Sequence, residues 1–391
     1  MLKPTSQRAG AFTESVIREM TRLCEVYGAI NLAQGFPDFD PPAAMRKAAT
    51  IAINHGLNQY SSTHGSPKLR KAIVEKMRTY NHVPCNPEDN VTVTCGTTEG
   101  MISSLLAILD PGEEVVILEP FYENYGPDSI LSGARRRYVG LAEPSFTIEE
   151  ESLKDAFSRK TKAIIVNTPH NPTGRVFTRQ ELELVRDLCL DYDAYAITDE
   201  IYEHITYDDR KHVSIASLDG MSNHTITISG FSKTYSATGW RVGYVVAPKK
   251  ITAEIRKVHD FLTVCAPTPL QAACVTALGM PRSYYENLRK LYDSSRNLLM
   301  DALEEAGFSC TRPEGAYYIW TDIRKTGFKN DRQLARYMIS RVGVGGVPGS
   351  SFYHRSAQGR LKLRFSFSKK PDTIRRAALR LKQLGRSSRR G

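Results

Sequence analysis

Between residues 90 and 250 short apolar runs recur, each closed by a turn and most followed by a helical pattern. VTVTCG precedes a helix that carries Met101, Leu105 and Ile108 on one side. EEVVILEP leads into FYENYG. KAIIVNTP leads into NPTG and then a helix opened by Thr178 and Glu181, a capping box. AYAITD leads into EIYEH. TITIS, residues 225–229, alternates β-branched and polar residues as a strand entering a turn does, and YVVAP follows soon after. Short apolar strands alternating with helices predict a mainly parallel sheet sandwiched by helices, an α/β fold. Ligands of such sheets bind beyond the carboxyl ends of the strands.

The flanking pattern differs. Residues 11–27 place Val16, Ile17, Met20, Leu23, Cys24 and Tyr27 on one helical face, with Gly28 as the stop. NLAQGFPDFDPP, residues 31–42, is irregular, and Asp40 is placed to cap a helix starting on Pro41 and Pro42. A helix from Ser66 and Pro67 carries Leu69, Ile73, Met77 and Tyr80 on one side. After about residue 280 the rhythm becomes α+β. A long helix runs from Arg282 to about Ala306, and strand-like AYYIWTDI follows. A helix from Asp331, strand RLKLRFSFS and a closing helix from about Asp372 complete the chain. The expected organisation is a large domain over residues 46–280 and a smaller α+β domain over 281–391, with the N-terminal segment 1–45 packed on the smaller one.

Composition narrows the class. The 391 residues are 41% hydrophobic and 24% charged, ordinary for a globular protein. The N-terminus lacks a signal-peptide core and no run reaches the length of a membrane span, so a cytoplasmic location is expected. Seven scattered cysteines without CxxC argue for reduced thiols over a disulfide framework or a zinc site. The net charge of +11 is partly concentrated in Arg375, Arg376, Arg380, Lys382, Arg386, Arg389 and Arg390, which read as a solvated basic helix and a frayed tail. No nucleic-acid signature accompanies them. A positive field would also draw an anionic cofactor and carboxylate substrates.

One lysine has unusual surroundings. In SGFSKTYSATGWRVGY, residues 229–244, Lys233 stands among small residues where a strand ends, and Arg241 follows eight positions later. With a lowered pKa, Lys233 could attack a carbonyl, and Arg241 offers a planar fork for phosphate. The same two residues also suit a surface loop. DEIY, NPTG and CGTTEG are similarly double: each describes a capped helix or a turn as readily as a ligand site.

This run resembles the lysine signature of the class I and II pyridoxal-phosphate aminotransferases, through Gly230, Phe231, Ser232, Lys233, Ser236, Ala237, Gly239, Arg241 and Gly243. Further motifs follow in family order from Asn31 to Phe367. NLAQGFPDF resembles the kynurenine, glutamine, methionine and aromatic aminotransferase branch. The resemblance implies fold type I and pyridoxal 5'-phosphate as cofactor, held by Lys233 through its aldehyde. Asp199 would face the ring nitrogen, and Tyr202 and Asn171 the phenolic oxygen. Gly96, Thr97, Thr98, Ser232 and Arg241 would cradle the phosphate, and Tyr122 would stack on the ring. Tyr60 would reach the phosphate of a neighbouring subunit, which makes a homodimer the expected assembly. Arg364, on the face of LKLRFSF opposite Leu361, Leu363, Phe365 and Phe367, would clamp the substrate carboxylate with help from Gly35 and Asn171. Gly230 departs from the pattern, since many relatives carry a hydroxyl residue there; Ser229 or Ser232 could substitute.

The implied activity is ping-pong transfer of an amino group from an L-amino acid to a 2-oxo acid, with Lys233 as proton carrier. Phe12, Ile17, Phe36, Tyr122 and Tyr125 are candidates for an apolar pocket. Tyrosine at position 122, where the aspartate-specific enzymes would have tryptophan, favours aromatic, methionine or similar uncharged donors. An aspartate aminotransferase, a carbon–sulfur β-lyase and, least of all, a cofactor-sensing regulator are the alternatives; the regulator would need a DNA-binding domain, and only about thirty residues precede NLAQGF.

Overall fold

The computed structural model describes residue 3 and residues 5–387. A two-residue strand, β1 (Ile30–Asn31), opens the strand series. The large sheet takes β2 (Val91–Thr94), β3 (Glu114–Glu119), β4 (Arg135–Gly140), β5 (Thr161–Asn167), β6 (Tyr195–Asp199), β7 (Thr225–Gly230) and β8 (Gly243–Val246). Their spatial order is β2-β8-β7-β6-β5-β3-β4. β7, β6, β5, β3 and β4 are parallel neighbours, whereas β8 runs antiparallel to both β7 and β2. The interior strands are largely buried because helices cover both faces: every residue of β3 is buried.

A smaller sheet has the order β12-β13-β10-β9, from β9 (Ser309–Thr311), β10 (Tyr318–Asp322), β12 (Val347–Pro348) and β13 (Lys362–Ser366). The remaining strand, β11 (Val344–Gly345), pairs in parallel with β1, which ties the N-terminal segment to this part of the chain. The long helix Arg282–Glu305 packs against the closing helix Pro371–Ser387.

Several local expectations change. The N-terminal helix begins at Val16, where Ser15 Oγ accepts from Arg18 N, and not at residue 11. Tyr27, at its far end, is exposed. Asp40 caps nothing: the extended Pro42 is itself the N-cap of Ala43–Asn54, and the Asp40 carboxylate lies 3.5 Å from Arg46. Two prolines in a row keep the chain extended past the point where Asp40 could reach the helix. Tyr80 follows Pro67–Lys76 in a π-helical turn and donates to Glu203 O at 2.7 Å. β4 escapes the periodicity because Arg135, Arg136 and Arg137 supply the charge of an edge strand.

The capping box at Thr178 and Glu181 is present, and all seven cysteines are free. Among the described residues no helix is long and apolar enough to cross a membrane. The frayed tail with Arg389 and Arg390 lies outside the described residues, as does the Arg386 side chain.

Candidate active site

The carboxyl ends of β5, β6 and β7 bring Asn167, Asp199 and Ile228 side by side, because these strands are parallel neighbours in register, and β7 runs on two residues further to Gly230. Beyond them opens a cavity of about 920 Å³. Gly35, Thr97, Thr98, Tyr122, Asn171, Asp199, Tyr202, Ser232, Lys233, Arg241 and Arg364 all line it. Residues from seven separate stretches of sequence are thus gathered at one end of the sheet.

Lys233 lies in the connection between β7 and the antiparallel β8. Its Nζ donates to Gly35 O at 3.0 Å and sits 5.9 Å from the ring centres of Tyr202 and Tyr317. Burial lowers its pKa to about 8, with Arg364 and Arg241 adding to the effect and Asp199 opposing it. About a tenth of the amine is therefore free at pH 7, some hundreds of times more than for an ordinary lysine, as a nucleophile requires.

Close backbone packing shapes one end of the cavity. Gly230 pairs with Gly243 across β7 and β8. A Cβ on Gly243 would stand 2.7 Å from the Gly96 carbonyl carbon, and one on Gly230 would stand 2.9 Å from Gly243 Cα. That bareness lets the N-terminus of helix Thr97–Ile108 approach the lysine turn, and it leaves no room for the hydroxyl side chain missing at Gly230. Ser229 is engaged elsewhere, donating to Glu203 Oε1 at 2.7 Å, whereas Ser232 faces the cavity. The Arg241 guanidinium lies against Gly96 and donates to Thr238 O at 3.0 Å; among the described residues it has no acidic partner. A helix N-terminus with an unpaired arginine beside it is suited to a phosphate.

Asp199 sits at the end of β6, buried. Tyr125 Oη donates to its Oδ2 at 2.8 Å and Ile201 N to its Oδ1 at 3.2 Å. Burial raises its pKa despite those bonds and the nearby Lys233, so a further cation would stabilise its ionised form. Asn167 braces the same corner: its Nδ2 donates to Asp199 O at 2.8 Å, and its Oδ1 accepts from Asn171 N at 2.7 Å. Tyr202 Oη lies 2.8 Å from Tyr318 Oη.

At the other end stands Arg364, in β13, an interior strand flanked by β12 and β10. It is 1% exposed, away from water. Its Nη1 donates to Asn171 Oδ1 at 2.7 Å and its Nη2 to Ala33 O at 2.8 Å. Tyr318 and Phe352 pack near the guanidinium at 4.1 Å and 4.9 Å. Nε has no hydrogen bond and, among the described residues, the group has no ion pair. A buried cation held only by neutral oxygens is incomplete without an anion, and a planar fork matches a carboxylate.

Two expected residues stand apart. Tyr60 is 80% exposed and does not line the cavity. Phe36 turns away, its ring 3.8 Å from Lys369 Nζ, while Phe12, Ile17, Tyr122 and Tyr125 do line the cavity. Residues the sequence reading passed over include Asn167, Tyr318 and Glu123. Asn167 could have been found, because it is the polar residue closing β5. Glu123 accepts from Ser15 Oγ and Ile17 N and so clamps the N-terminal segment across the opening; nothing local in the sequence announces that contact.

A buried amine of lowered basicity beside a buried carboxylate, with cations at either end, defines a site for covalent chemistry on an anionic carbonyl compound. The model of the family Aminotransferase class I and II matches residues 27–381. A probable N-succinyldiaminopimelate aminotransferase of Mycobacterium tuberculosis is 35% identical, over 97% of this chain and 98% of the relative. The solved structure of the N-succinyldiaminopimelate aminotransferase from that organism superposes with a TM-score of 0.95, covering 97% of this chain and 100% of that one. An aspartate aminotransferase of Pyrococcus abyssi is 37% identical (92% and 93% covered), and the methionine aminotransferase of Escherichia coli 34% (95% and 96%). The chain belongs to the class I and II aminotransferases. It is a pyridoxal-phosphate-dependent aminotransferase of fold type I.

Proposed function

We propose that this enzyme takes its amino group from aromatic amino acids, methionine or similar uncharged donors and passes it to a 2-oxo acid. The observation that carries the residue assignments is the convergence of Lys233, Asp199 and Arg364 on one cavity. The donor set fits pyridoxal phosphate: a buried free amine for the aldehyde, a buried carboxylate that lacks a cation, and an unpaired arginine at a helix N-terminus for the phosphate. Lys233 would hold the cofactor, and Asp199 would keep its ring nitrogen protonated. Tyr202 and Asn171 would face its phenolic oxygen. Gly96, Thr97, Thr98, Ser232 and Arg241 would receive its phosphate, with Tyr122 against its ring. When bound, the group supplies the electron sink that makes the substrate's α-proton acidic. Arg364, Asn171 and the Gly35 backbone would orient the substrate carboxylate, and the Lys233 amine would move the proton at the α-carbon.

The donor assignment rests on the aromatic lining from Phe12, Tyr122 and Tyr125 together with Ile17. One observation favours a second reading: Arg18, Arg136 and Arg332 line the same cavity and would suit an acidic donor, such as that of the aspartate relative. The division at residues 45 and 280, a cytoplasmic location and a homodimer belong to the same proposal. The dimer is supported by an exposed apolar face: Phe261 is 92% exposed, and Tyr60, Leu262 and Val264 are exposed as well. Thr268 Oγ1 donates to Gln59 O and Gln271 Nε2 to Ser61 Oγ, which holds the Tyr60 loop against the start of helix Thr268–Leu278.

The test begins with the purified chain reconstituted with pyridoxal phosphate. A visible absorption band is expected that Lys233→Ala lacks; no band in the wild type would sink the assignment of Lys233. Single-turnover reactions with the common amino acids then rank the donors. A clear preference for aspartate overturns the uncharged donor, and pyruvate and ammonia in place of an oxo-acid product indicate β-elimination.

A further inference from the structure

A second cavity, of about 650 Å³, shares no lining residue with the first. It lies among helix Pro67–Lys76 and the turn after it, the end of Thr268–Leu278 and the start of Arg282–Glu305. One wall is aromatic: His204 packs against the rings of Tyr80 and Tyr285, with centres 4.1 Å and 4.6 Å away and each tilted by 35°. Its nitrogens make no hydrogen bond among the described residues, and burial holds it neutral, with a pKa of about 3. Leu278 and Met280 continue the apolar surface.

The charges around this cavity do not balance. Lys76 is paired with Glu203, Glu75 with Arg78, and Arg282 with Glu286. Arg289 also lines the cavity and has no ion pair among the described residues. The cavity thus offers flat apolar walls, a neutral ring edge able to hydrogen-bond, and one unanswered positive charge. Its volume falls within the few hundred to about 1,000 Å³ usual for small-molecule sites.

We propose that this cavity is a second ligand site, for a small planar aromatic carboxylate. The ring lies against Leu278, Met280 and the aromatic wall, and the carboxylate meets the Arg289 fork. The wall is tied to the lysine turn. Tyr285 Oη lies 2.7 Å from Tyr235 Oη, Tyr284 Oη donates to Thr234 O at 2.7 Å, and Tyr80 Oη donates to Glu203 O, next to Tyr202. Through these bonds occupancy bears on the segment that holds Lys233 and changes turnover.

The holoenzyme is titrated calorimetrically with indole-3-acetate, which has no amino or oxo group to react. Because this probe can also enter the substrate site, Arg364→Ala holoenzyme is titrated too; it should bind one equivalent per chain. Adding Arg289→Ala should weaken that binding at least tenfold, and Leu278→Trp, which fills the cavity, should do the same. Inorganic sulfate should bind at least tenfold more weakly. With the wild type at saturating donor, the probe should change kcat at least twofold, and Arg289→Ala should abolish that change.

The site is overturned if Arg364→Ala protein binds no probe, if neither Arg289→Ala nor Leu278→Trp weakens binding, or if sulfate binds as well. Binding with kcat unmoved overturns the link to turnover. A wrong role for Arg364 would show differently: the wild type and Arg364→Ala would bind the same number of equivalents, with the Arg289 effect intact.

Discussion

The two ends of the active-site cavity are built on opposite plans. Around Gly96, Gly230 and Gly243, two short stretches of chain press backbone against backbone, and the side chains that count are few. Around Arg364, residues 33, 171, 318 and 364 converge from distant parts of the sequence, and side-chain contacts do the work. The first end is intolerant of volume, the second of lost charge. An added methyl should damage one, and a neutralised guanidinium the other.

The largest effect is expected from Arg364→Ala. It strips a buried cation from Asn171 Oδ1 and Ala33 O and leaves the substrate carboxylate unmatched, a loss of ~3–5 kcal/mol or about 10²–10⁴-fold in kcat/KM. Steady-state kinetics should show this while cofactor uptake, followed by absorbance, stays normal. Loss of the cofactor instead would erase the distinction between the two ends.

Gly243→Ala comes next. Its Cβ would meet the Gly96 backbone, which cannot yield as a flexible side chain could, so a destabilisation of ~1–3 kcal/mol is expected. Thermal unfolding should come at lower temperature and cofactor affinity should drop, with the donor KM of the loaded fraction unchanged. A variant as stable as the wild type would show that the glycine contact is not limiting.

How much of this was readable beforehand follows the same division. Lys233, Asp199 and Asn171 lie in compact motifs at strand ends, so a linear reading could find them. Gly230 looked like a missing hydroxyl, yet its meaning needs Gly243 in view, thirteen residues away and on another strand. Tyr318 and Glu123 were invisible because their partners lie far along the chain, and β4 was hidden by three arginines on an edge. Asp40 reads as the cap of a helix starting on Pro41 and Pro42, but the extended prolines delay that helix to Ala43. Tyr60 was legible as a motif, but within one chain it is exposed and stands apart from the cavity.

The smallest effect concerns the amine between the two ends. With a pKa of about 8, its free fraction rises about threefold between pH 7.5 and 8.5 and then levels off. The rate of cofactor capture by the apo protein should follow that curve. An unperturbed lysine would keep gaining well past pH 9. Because the Arg364 charge disfavours the ammonium form, Arg364→Ala should move the curve to higher pH. An unmoved curve would mean that the two ends do not feel each other.

The reversal of β8 has a mechanical consequence. The chain leaves β7, makes the lysine turn and returns along β8, so that turn is fastened at both ends to one pair of hydrogen-bonded strands. Arg364 rides on the smaller sheet, and across the cavity it meets the large-sheet side through Asn171, as Tyr318 meets Tyr202. A change in the separation of the sheets would therefore carry Arg364 with it and leave Lys233 in place. The amine is the stationary reference, and opening or closing is measured from it.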